Sequence, residues 1–181
     1  MTTIVGVCKN GNVTLGADSQ VTDDDRKHNS LIMEKITKNN GYLIAGSGDS
    51  TPCDILQHIF VPPVPSAVER KNLYKFMITK FVPEMRECLE ENNWKPDPKD
   101  DSTFSMLIAY DGELFDIGDD FSVLLNNDGI YGVGNGSKYA VGALFAGTSV
   151  EKALEIAAHN DIYTSGPFQI VKQQKFVKTQ K

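Results

Sequence analysis

Two threonines follow the initiator methionine, and the first of them has the chemistry of a nucleophile. Thr2 has a small side chain, so cellular aminopeptidase is expected to remove Met1 and to leave a free α-amino group on Thr2. An α-amine has an ordinary pKa of about 7.7–8.0, so near neutral pH it can accept the hydroxyl proton directly or through one water. The nucleophile and its base would then belong to one residue. Many ordinary proteins also begin Met-Thr, so the surrounding residues decide the interpretation.

A turn signal shortly after Thr2 predicts which charge lies beside it. Asn10-Gly11 stands between two apolar runs, which is a strong signal for a two-residue hairpin turn. With this pair at the centre of the turn, Thr3 faces Asp18 across the hairpin. Asp18 is therefore predicted to lie next to Thr2.

A second hairpin predicts a lysine and a glycine-rich backbone at one strand end. Its turn is Asn40-Gly41, and this register places Lys35 opposite Gly46. A cation near Thr2 would favour the neutral amine, and a buried Lys35 would need a counter-charge such as Asp18. Glycines let a backbone N–H approach the oxyanion of a tetrahedral intermediate. An exposed ion pair is the alternative interpretation of the two charges.

Four segments resemble the β-type subunits of the proteasome and the bacterial HslV peptidases, which are N-terminal nucleophile hydrolases. They are TTIVGVCKNGNVTLGADSQVT, EKITKNNGYLIAGSGDSTPCD, GVGNGSKYAVGAL and ALEIAAHNDIYTSGPF, and together they span nearly the whole chain. The first segment is most similar to HslV, and the second carries the Lys-Ile-Thr setting of β-type subunits. The resemblance implies that Thr2 is the nucleophile, with Asp18 and Lys35 as its charge partners. It also implies Gly48, or Gly46 if the alignment shifts, as the oxyanion donor.

The supporting residues depart from the family pattern. Asn135 stands where the family usually has a serine, and the adjacent Ser137 is a candidate to compensate. The resemblance also places Asp161 at a supporting aspartate and Thr164 at a second serine. Replacing a hydroxyl by a hydroxyl is mild, whereas replacing it by an amide is a larger change. The proton relay around Thr2 is therefore where the chain differs most from the family.

The resemblance implies a threonine-type endopeptidase that cleaves unfolded polypeptides. It further implies a homo-oligomeric ring and an ATP-dependent unfoldase as partner. Two alternatives stay open, namely a catalytically silent structural or assembly subunit of the same fold and a hydrolase of small amides. The retained Thr2, Asp18 and Lys35 favour the peptidase over the silent subunit.

Composition fits one globular domain over residues 1–181 and argues against a membrane-spanning, a metal-binding and a nucleic-acid-binding protein. The chain is 40% hydrophobic and 23% charged, which is ordinary for a domain of this length. No apolar run approaches the roughly 20 residues that span a bilayer, and no cleavable signal precedes Thr2, so a cytoplasmic protein is expected. Three cysteines and three histidines lack metal-binding spacing, so we expect no metal and no cofactor. The net charge of −6 argues against a nucleic-acid partner.

Periodicity and breakers predict alternating strands and helices. A third hairpin turns at Asp111-Gly112, and further strands are expected over 121–125 and 129–133. Helices are predicted over four segments, with a proline-rich connector at 61–65, a loop at 94–102 and a solvated, mobile tail at 172–181. The helical segments are 50–58, 67–92 divided near Pro83, 137–146, and a helix from a capping box at Thr148 to about His159. These elements indicate an α+β fold, and the resemblance implies a four-layer αββα sandwich of two antiparallel sheets flanked by helices.

Overall fold

Two antiparallel sheets form the centre of the protein in the computed structural model, which describes residues 2–23, 26–29, 33–96 and 103–176. The first sheet contains, in spatial order, β10 (Ile130–Gly134), β1 (Thr3–Lys9), β2 (Asn12–Ala17) and β11 (Gln169–Gln174). The second contains β5 (Ile36–Asn39), β6 (Tyr42–Gly48), β7 (Phe104–Tyr110), β8 (Glu113–Gly118) and β9 (Val123–Leu124). A separate ribbon pairs β3 (Gln20–Asp23) with β4 (Arg26–Asn29).

Three hairpins have the two-residue turns that the sequence predicts. Both central residues of each turn have positive φ, as a type I′ turn requires, and asparagine, aspartate and glycine tolerate this conformation best. The φ values are 52° and 71° at Asn10-Gly11, 51° and 86° at Asn40-Gly41, and 47° and 78° at Asp111-Gly112. The predicted registers are confirmed, because Ile4 pairs with Ala17 in the first hairpin and Ile36 with Ala45 in the second.

The facing sides of the two sheets share one apolar core. Strand residues alternate between the two sides of a sheet, so every second residue of these strands points toward the other sheet. Ile4 and Leu15 of the first sheet are fully buried, as are Leu107 and Leu114 of the second, and they belong to one cluster. This core holds the two sheets together.

Helices cover the outer side of each sheet. The segments over the five-stranded sheet are α1 (Ser50–Asp54), a π-helical turn (Ile55–Ile59), a 3-10 turn (Glu69–Asn72), α2 (Leu73–Phe76), a π-helical turn (Met77–Phe81) and α3 (Val82–Glu91). Those over the four-stranded sheet are α4 (Ser137–Phe145) and α5 (Val150–Asn160). None of the helices in the described ranges is long and apolar enough to cross a membrane.

The helical segments follow the predictions, with one difference at the cap of α5. Pro83 lies in the first turn of α3, directly after a π-helical turn, because proline has no N–H to donate and crowds the preceding turn. This confirms the predicted division of the long helix. The cap of α5 is Ser149, whose hydroxyl accepts from the Lys152 N–H at 3.1 Å, so the capping box predicted at Thr148 is one residue too early.

Strand β11 replaces part of the predicted tail. Residues 172–174 belong to β11 and pair with β2, where Lys172 lies opposite Thr14. The segment was predicted as a solvated end because polar residues occupy both sides of the strand and give no apolar alternation. Residues 177–181 lie outside the described part of the chain, as do residues 97–102 of the predicted loop.

Two glycines give a matched test of how the helices pack on the four-stranded sheet. Any side-chain atom on Gly16 of β2 would collide with Val150 and Leu154 of α5, whereas one on Gly142 of α4 would contact nothing. We expect Gly16→Ala to lower the free energy of unfolding by about 1–3 kcal/mol through overpacking. Gly142→Ala should raise it by about 0.5–1 kcal/mol, because alanine is the better helix former. Urea unfolding at one protein concentration measures both, and equal signs would contradict this packing.

Candidate active site

Thr2 lies at the entrance of β1, where neighbouring backbone holds its main chain. Its carbonyl accepts a hydrogen bond from the Asn135 N–H at 2.9 Å. Gly134 leaves no space for a side chain there, because a Cβ atom would collide with the same Thr2 carbonyl oxygen. The position of Thr2 is therefore fixed through its backbone, and its half-buried side chain faces a pocket.

The Asp18 carboxylate connects three parts of the chain. It follows the last residue of β2 and is 1% exposed. Its oxygens accept from the Thr3 N–H at 2.9 Å, the Gln20 N–H at 3.1 Å and the Lys35 ammonium at 2.8 Å. The carboxylate thus contacts the backbone of Thr3, the neighbour of the predicted nucleophile.

Lys35 is a buried partner of Asp18, so the interpretation as an exposed ion pair is wrong. The two side chains are 10% and 0% exposed. The ammonium also donates to the Gln20 carbonyl at 2.6 Å, and Gln57 donates to the Lys35 carbonyl at 2.9 Å. Burial lowers the pKa of Lys35 below its ordinary value, and the Asp18 charge and hydrogen bond oppose this only in part.

The end of β6 presents a backbone N–H on the side of the sheet where Lys35 lies. The Asp49 N–H donates to the Thr103 carbonyl of the adjacent chain at 2.9 Å. Hydrogen bonding alternates along an antiparallel pair, so the N–H of Gly48 points away from β7, toward the β5 side. The last β6 residue that β5 pairs with is Ala45, so Gly48 lies three residues beyond the end of that pairing. Its φ of 109° requires glycine.

One pocket brings the predicted nucleophile, lysine and glycines together. It has a volume of about 360 Å³ and is lined by Thr2, Lys35 and the segment 46–48. Cys53 also lines it, but burial raises the pKa of its thiol to about 12, so the thiol stays protonated near neutral pH. Thr2 is therefore the better candidate nucleophile of the two. Among the described residues, no group of histidine, cysteine and carboxylate side chains could hold a metal ion.

Thr164 contacts Thr3, and Asp161 is connected to Thr3 through Thr164. The Thr164 hydroxyl donates to the Asp161 carboxylate and lies 2.6 Å from the Thr3 hydroxyl. The Thr3 hydroxyl also accepts from the Gly136 N–H at 2.9 Å. Since a carboxylate only accepts, the Thr3 hydroxyl must donate to Thr164. These residues form a satisfied buried network beneath β1.

Asn135 and Ser137 do not reach the Thr2 side chain. The Ser137 hydroxyl donates to the Gly134 carbonyl at 2.7 Å at the start of α4. Asn135 contributes its backbone N–H to Thr2, while its exposed side chain forms no hydrogen bond within the described residues. The compensating role predicted for Ser137 therefore stays a prediction, and its hydroxyl is bonded to Gly134.

Three polar residues of this region were not predicted from the sequence. Thr3 anchors the network beneath β1, and Gln20 and Gln57 hold Lys35 through its ammonium and its carbonyl. Gln57 carries a weak signal, because it is a polar residue inside the apolar helical run Ile55–Ile59 and is 7% exposed. Thr3 and Gln20 had no signal beyond their closeness to Thr2 and Asp18.

Comparisons with known proteins show which fold this arrangement belongs to. BPH of Thiobacillus denitrificans in complex with epoxomicin superposes with a TM-score of 0.73 and 21% identity, over 97% of this chain and 100% of that chain. A second structure of BPH from the same organism gives 0.72 and 22% identity, over 96% and 98% of the two chains. Eukaryotic HslV from Trypanosoma brucei gives 0.64 and 22% identity, over 96% and 99%.

The sequence alone gives no comparable match. No protein-family model matches the chain, and no curated protein sequence matches it significantly. The structural similarity shows that the chain has the fold of BPH and HslV, as the four resembling segments predicted.

The buried carboxylate of Asp18 gives a stability test with an internal control. Asp18→Ala removes the acceptor of three donors and leaves the Lys35 ammonium buried and unpaired. We expect a loss of about 3–5 kcal/mol in the free energy of unfolding. The control is Glu155→Ala, which breaks the exposed pair with Lys152 and should change stability little. Urea unfolding of both variants decides, and equal small losses would contradict a structural role for Asp18.

Proposed function

We propose that this protein is a threonine-type endopeptidase whose nucleophile is Thr2 after removal of Met1. The observation that carries the proposal is the single pocket lined by Thr2, Lys35 and Gly48, with Asp18 buried behind Lys35. A nucleophile, a cation and a free backbone donor at one cavity are the groups that acyl transfer requires. Polypeptides are the proposed substrates.

In the first step the α-amine of Thr2 takes the proton of the Thr2 hydroxyl. The oxygen attacks the carbonyl carbon of a substrate peptide bond, and a tetrahedral intermediate with a negative oxygen forms. The Gly48 N–H, which points to the β5 side of β6, donates to that oxygen. Gly46 is the weaker candidate donor, because its register position faces Lys35 itself.

In the second step the protonated amine returns its proton to the nitrogen of the leaving chain. The carbon–nitrogen bond breaks, the new amine terminus departs, and an ester joins the substrate acyl group to Thr2. A water molecule then loses a proton to the α-amine and attacks the ester. The carboxylic acid product leaves, and the Thr2 hydroxyl is restored.

Lys35 acts on this chemistry through its charge. A cation beside the pocket disfavours protonation of the α-amine and stabilises the developing alkoxide. Asp18 keeps the Lys35 ammonium in place by accepting a hydrogen bond from it at 2.8 Å. The Gln20 carbonyl accepts a second bond, which fixes the direction of the ammonium. Asp161, Thr164 and Thr3 keep the start of β1 in position, and in this proposal they do not exchange protons with Thr2.

The fold supports further proposals about assembly. We propose a four-layer αββα sandwich, which is supported by helices outside the two facing sheets and by the alignment of BPH and HslV with nearly this whole chain. We therefore extend the proposal to a homo-oligomeric ring in the cytoplasm that receives unfolded polypeptides from an ATP-dependent partner. Because one BPH structure contains epoxomicin, the same compound is a suitable probe for Thr2.

A catalytically silent structural subunit is the second candidate function. It is favoured by the supporting residues, since Ser137 bonds Gly134 and the Asn135 amide is exposed. The two candidates differ in one observable, because only the peptidase has a reactive free Thr2. Absence of both peptide cleavage and labelling of Thr2 by epoxomicin would support the silent subunit.

The identity of the nucleophile is tested by substituting each of the two adjacent threonines separately. Thr2→Ala should reduce peptide cleavage to background, and Thr2→Ser should keep partial activity, because only the latter retains a hydroxyl. Thr3→Ser is the matched control, since its hydroxyl can still bond Gly136 and Thr164, and it should keep most activity. The measurement is hydrolysis of fluorogenic peptides, with intact mass of each protein.

Intact mass decides whether the amine is available. Active wild-type protein should have lost Met1, because a retained methionine places an amide where the base is required. Cleavage by Thr2→Ala at the wild-type rate, or full activity of protein that retains Met1, would place the nucleophile elsewhere.

The pH profile tests the charge of Lys35. Cleavage should rise with pH as the α-amine of Thr2 loses its proton, near its ordinary pKa of about 7.7–8.0 or below it. It should then fall as Lys35 loses its own proton. Because burial lowers the pKa of Lys35, this fall should occur below the ordinary lysine value of 10.5. Measuring kcat/KM from pH 6 to 11 checks both limbs, and a plateau extending beyond 10.5 would contradict a role for the Lys35 charge.

A further inference from the structure

The pocket beside Thr2 has the position of the site that receives a substrate side chain. The carbonyl carbon that Thr2 attacks must lie about 3–3.5 Å from its hydroxyl oxygen. The side chain of the same substrate residue is attached to the Cα atom next to that carbon, so it lies beside the adjoining cavity of about 360 Å³. The lining of this cavity therefore determines which residue is accepted before the cleaved bond.

The charged groups of the lining leave an excess of negative charge. Glu34 and Asp54 both line the pocket and are exposed to it. Neither forms a salt bridge with another described residue, whereas the Lys35 ammonium is held by the buried Asp18. His58 also lines the pocket. The pocket thus contains two carboxylates whose charges no described cation balances.

Part of the remaining lining is apolar and suits an aliphatic chain, although Thr37, Ser47, Ser50 and Gln57 also line the pocket. Val21 and Met33 form apolar parts of the wall, and Cys53 lies against Gly46, where a Cβ atom would be only 2.7 Å from its sulfur. Gly46 and Cys53 therefore close the pocket without adding a polar side chain. A lysine or arginine side chain can place its methylene groups against such a surface while its charged end reaches the carboxylates.

We infer that this pocket selects peptides with lysine or arginine at the residue whose carbonyl Thr2 attacks, and that Glu34 and Asp54 determine this selection. The inference rests on the proposed function, since it gives the substrate class of that same site. An acidic substrate side chain would meet two like charges. A neutral apolar side chain would contact the apolar walls of the pocket but leave both carboxylates without a partner.

The test compares fluorogenic tripeptide amides that differ only in the residue before the cleaved bond. Lysine is paired with norleucine, which has the same methylene chain without the charge, and glutamate is the third substrate. We expect kcat/KM for lysine to exceed that for norleucine by about tenfold, as two partly exposed ion pairs would provide, and glutamate to be poorest. Norleucine equal to or better than lysine would overturn the inference.

Variants show which residues make the selection. Glu34→Gln and Asp54→Asn should each reduce the advantage of lysine over norleucine, and the double variant should abolish it with little change for norleucine. Glu151→Gln is the matched control, because Glu151 is an exposed acid on α5, over the other sheet. Asp54→Lys should favour glutamate over lysine. An unchanged preference in the double variant would exclude these residues.

The inference and the proposed function fail in different ways. Cleavage that depends on Thr2 but prefers norleucine retains the peptidase and removes the charge selection. If no peptide is cleaved, the peptidase proposal fails. Equilibrium binding of the same three peptides, each carrying a fluorescent label, to Thr2→Ala protein still measures the selectivity of the pocket. Tighter binding of the lysine peptide supports the inference there, and equal binding of lysine and norleucine peptides overturns it.

Discussion

The structure depends on the Asp18 carboxylate, which connects the two sheets at the site where Thr2 lies. Asp18 directly follows β2 of the four-stranded sheet, and its partner Lys35 stands directly before β5 of the five-stranded sheet. The same carboxylate fixes the backbone of Thr3 and Gln20. One buried group therefore sets the start of β1, the turn after β2 and the direction of the lysine. The apolar core between the sheets gives it the rigid surroundings that this role requires.

A buried ion pair of this kind is poorly explained by stability alone. Removing two charges from water costs several kcal/mol, and well-packed apolar side chains of similar size often stabilise a protein equally or better. The lowered pKa of Lys35 shows this cost directly, because burial outweighs the attraction of Asp18. Lys35 also lines the pocket beside Thr2, where the proposed reaction requires a cation. Strongly perturbed groups in a cavity are typical of functional sites.

Local signals predicted the parts of the fold that neighbouring residues determine. Asn10-Gly11 and Asn40-Gly41 specify type I′ turns, and a two-residue turn fixes the register, so the approach of Asp18 and Lys35 followed from the sequence. The contact of Thr164 with Thr3 joins residues 161 positions apart, and no local pattern encodes such a pair. Strand β11 was missed for a related reason, since its polar residues show no alternation and its place is determined by the free edge of β2.

The two adjacent threonines have different surroundings, and in the proposed reaction this difference would let β1 stay in place while Thr2 reacts. The Thr3 hydroxyl is fully buried, accepts from the Gly136 N–H and donates its one proton to Thr164, so it has no proton to donate to substrate and is closed off from it. Thr2 is held through its carbonyl, and the residue lines the pocket. Because the anchoring groups act on Thr3 and on main-chain atoms, the side chain of Thr2 can change its bonding during a reaction without disturbing the strand. Asp161 and Thr164 thereby contribute rigidity, and in the proposed reaction the electrostatic role at Thr2 would belong to Lys35 and the Gly48 backbone.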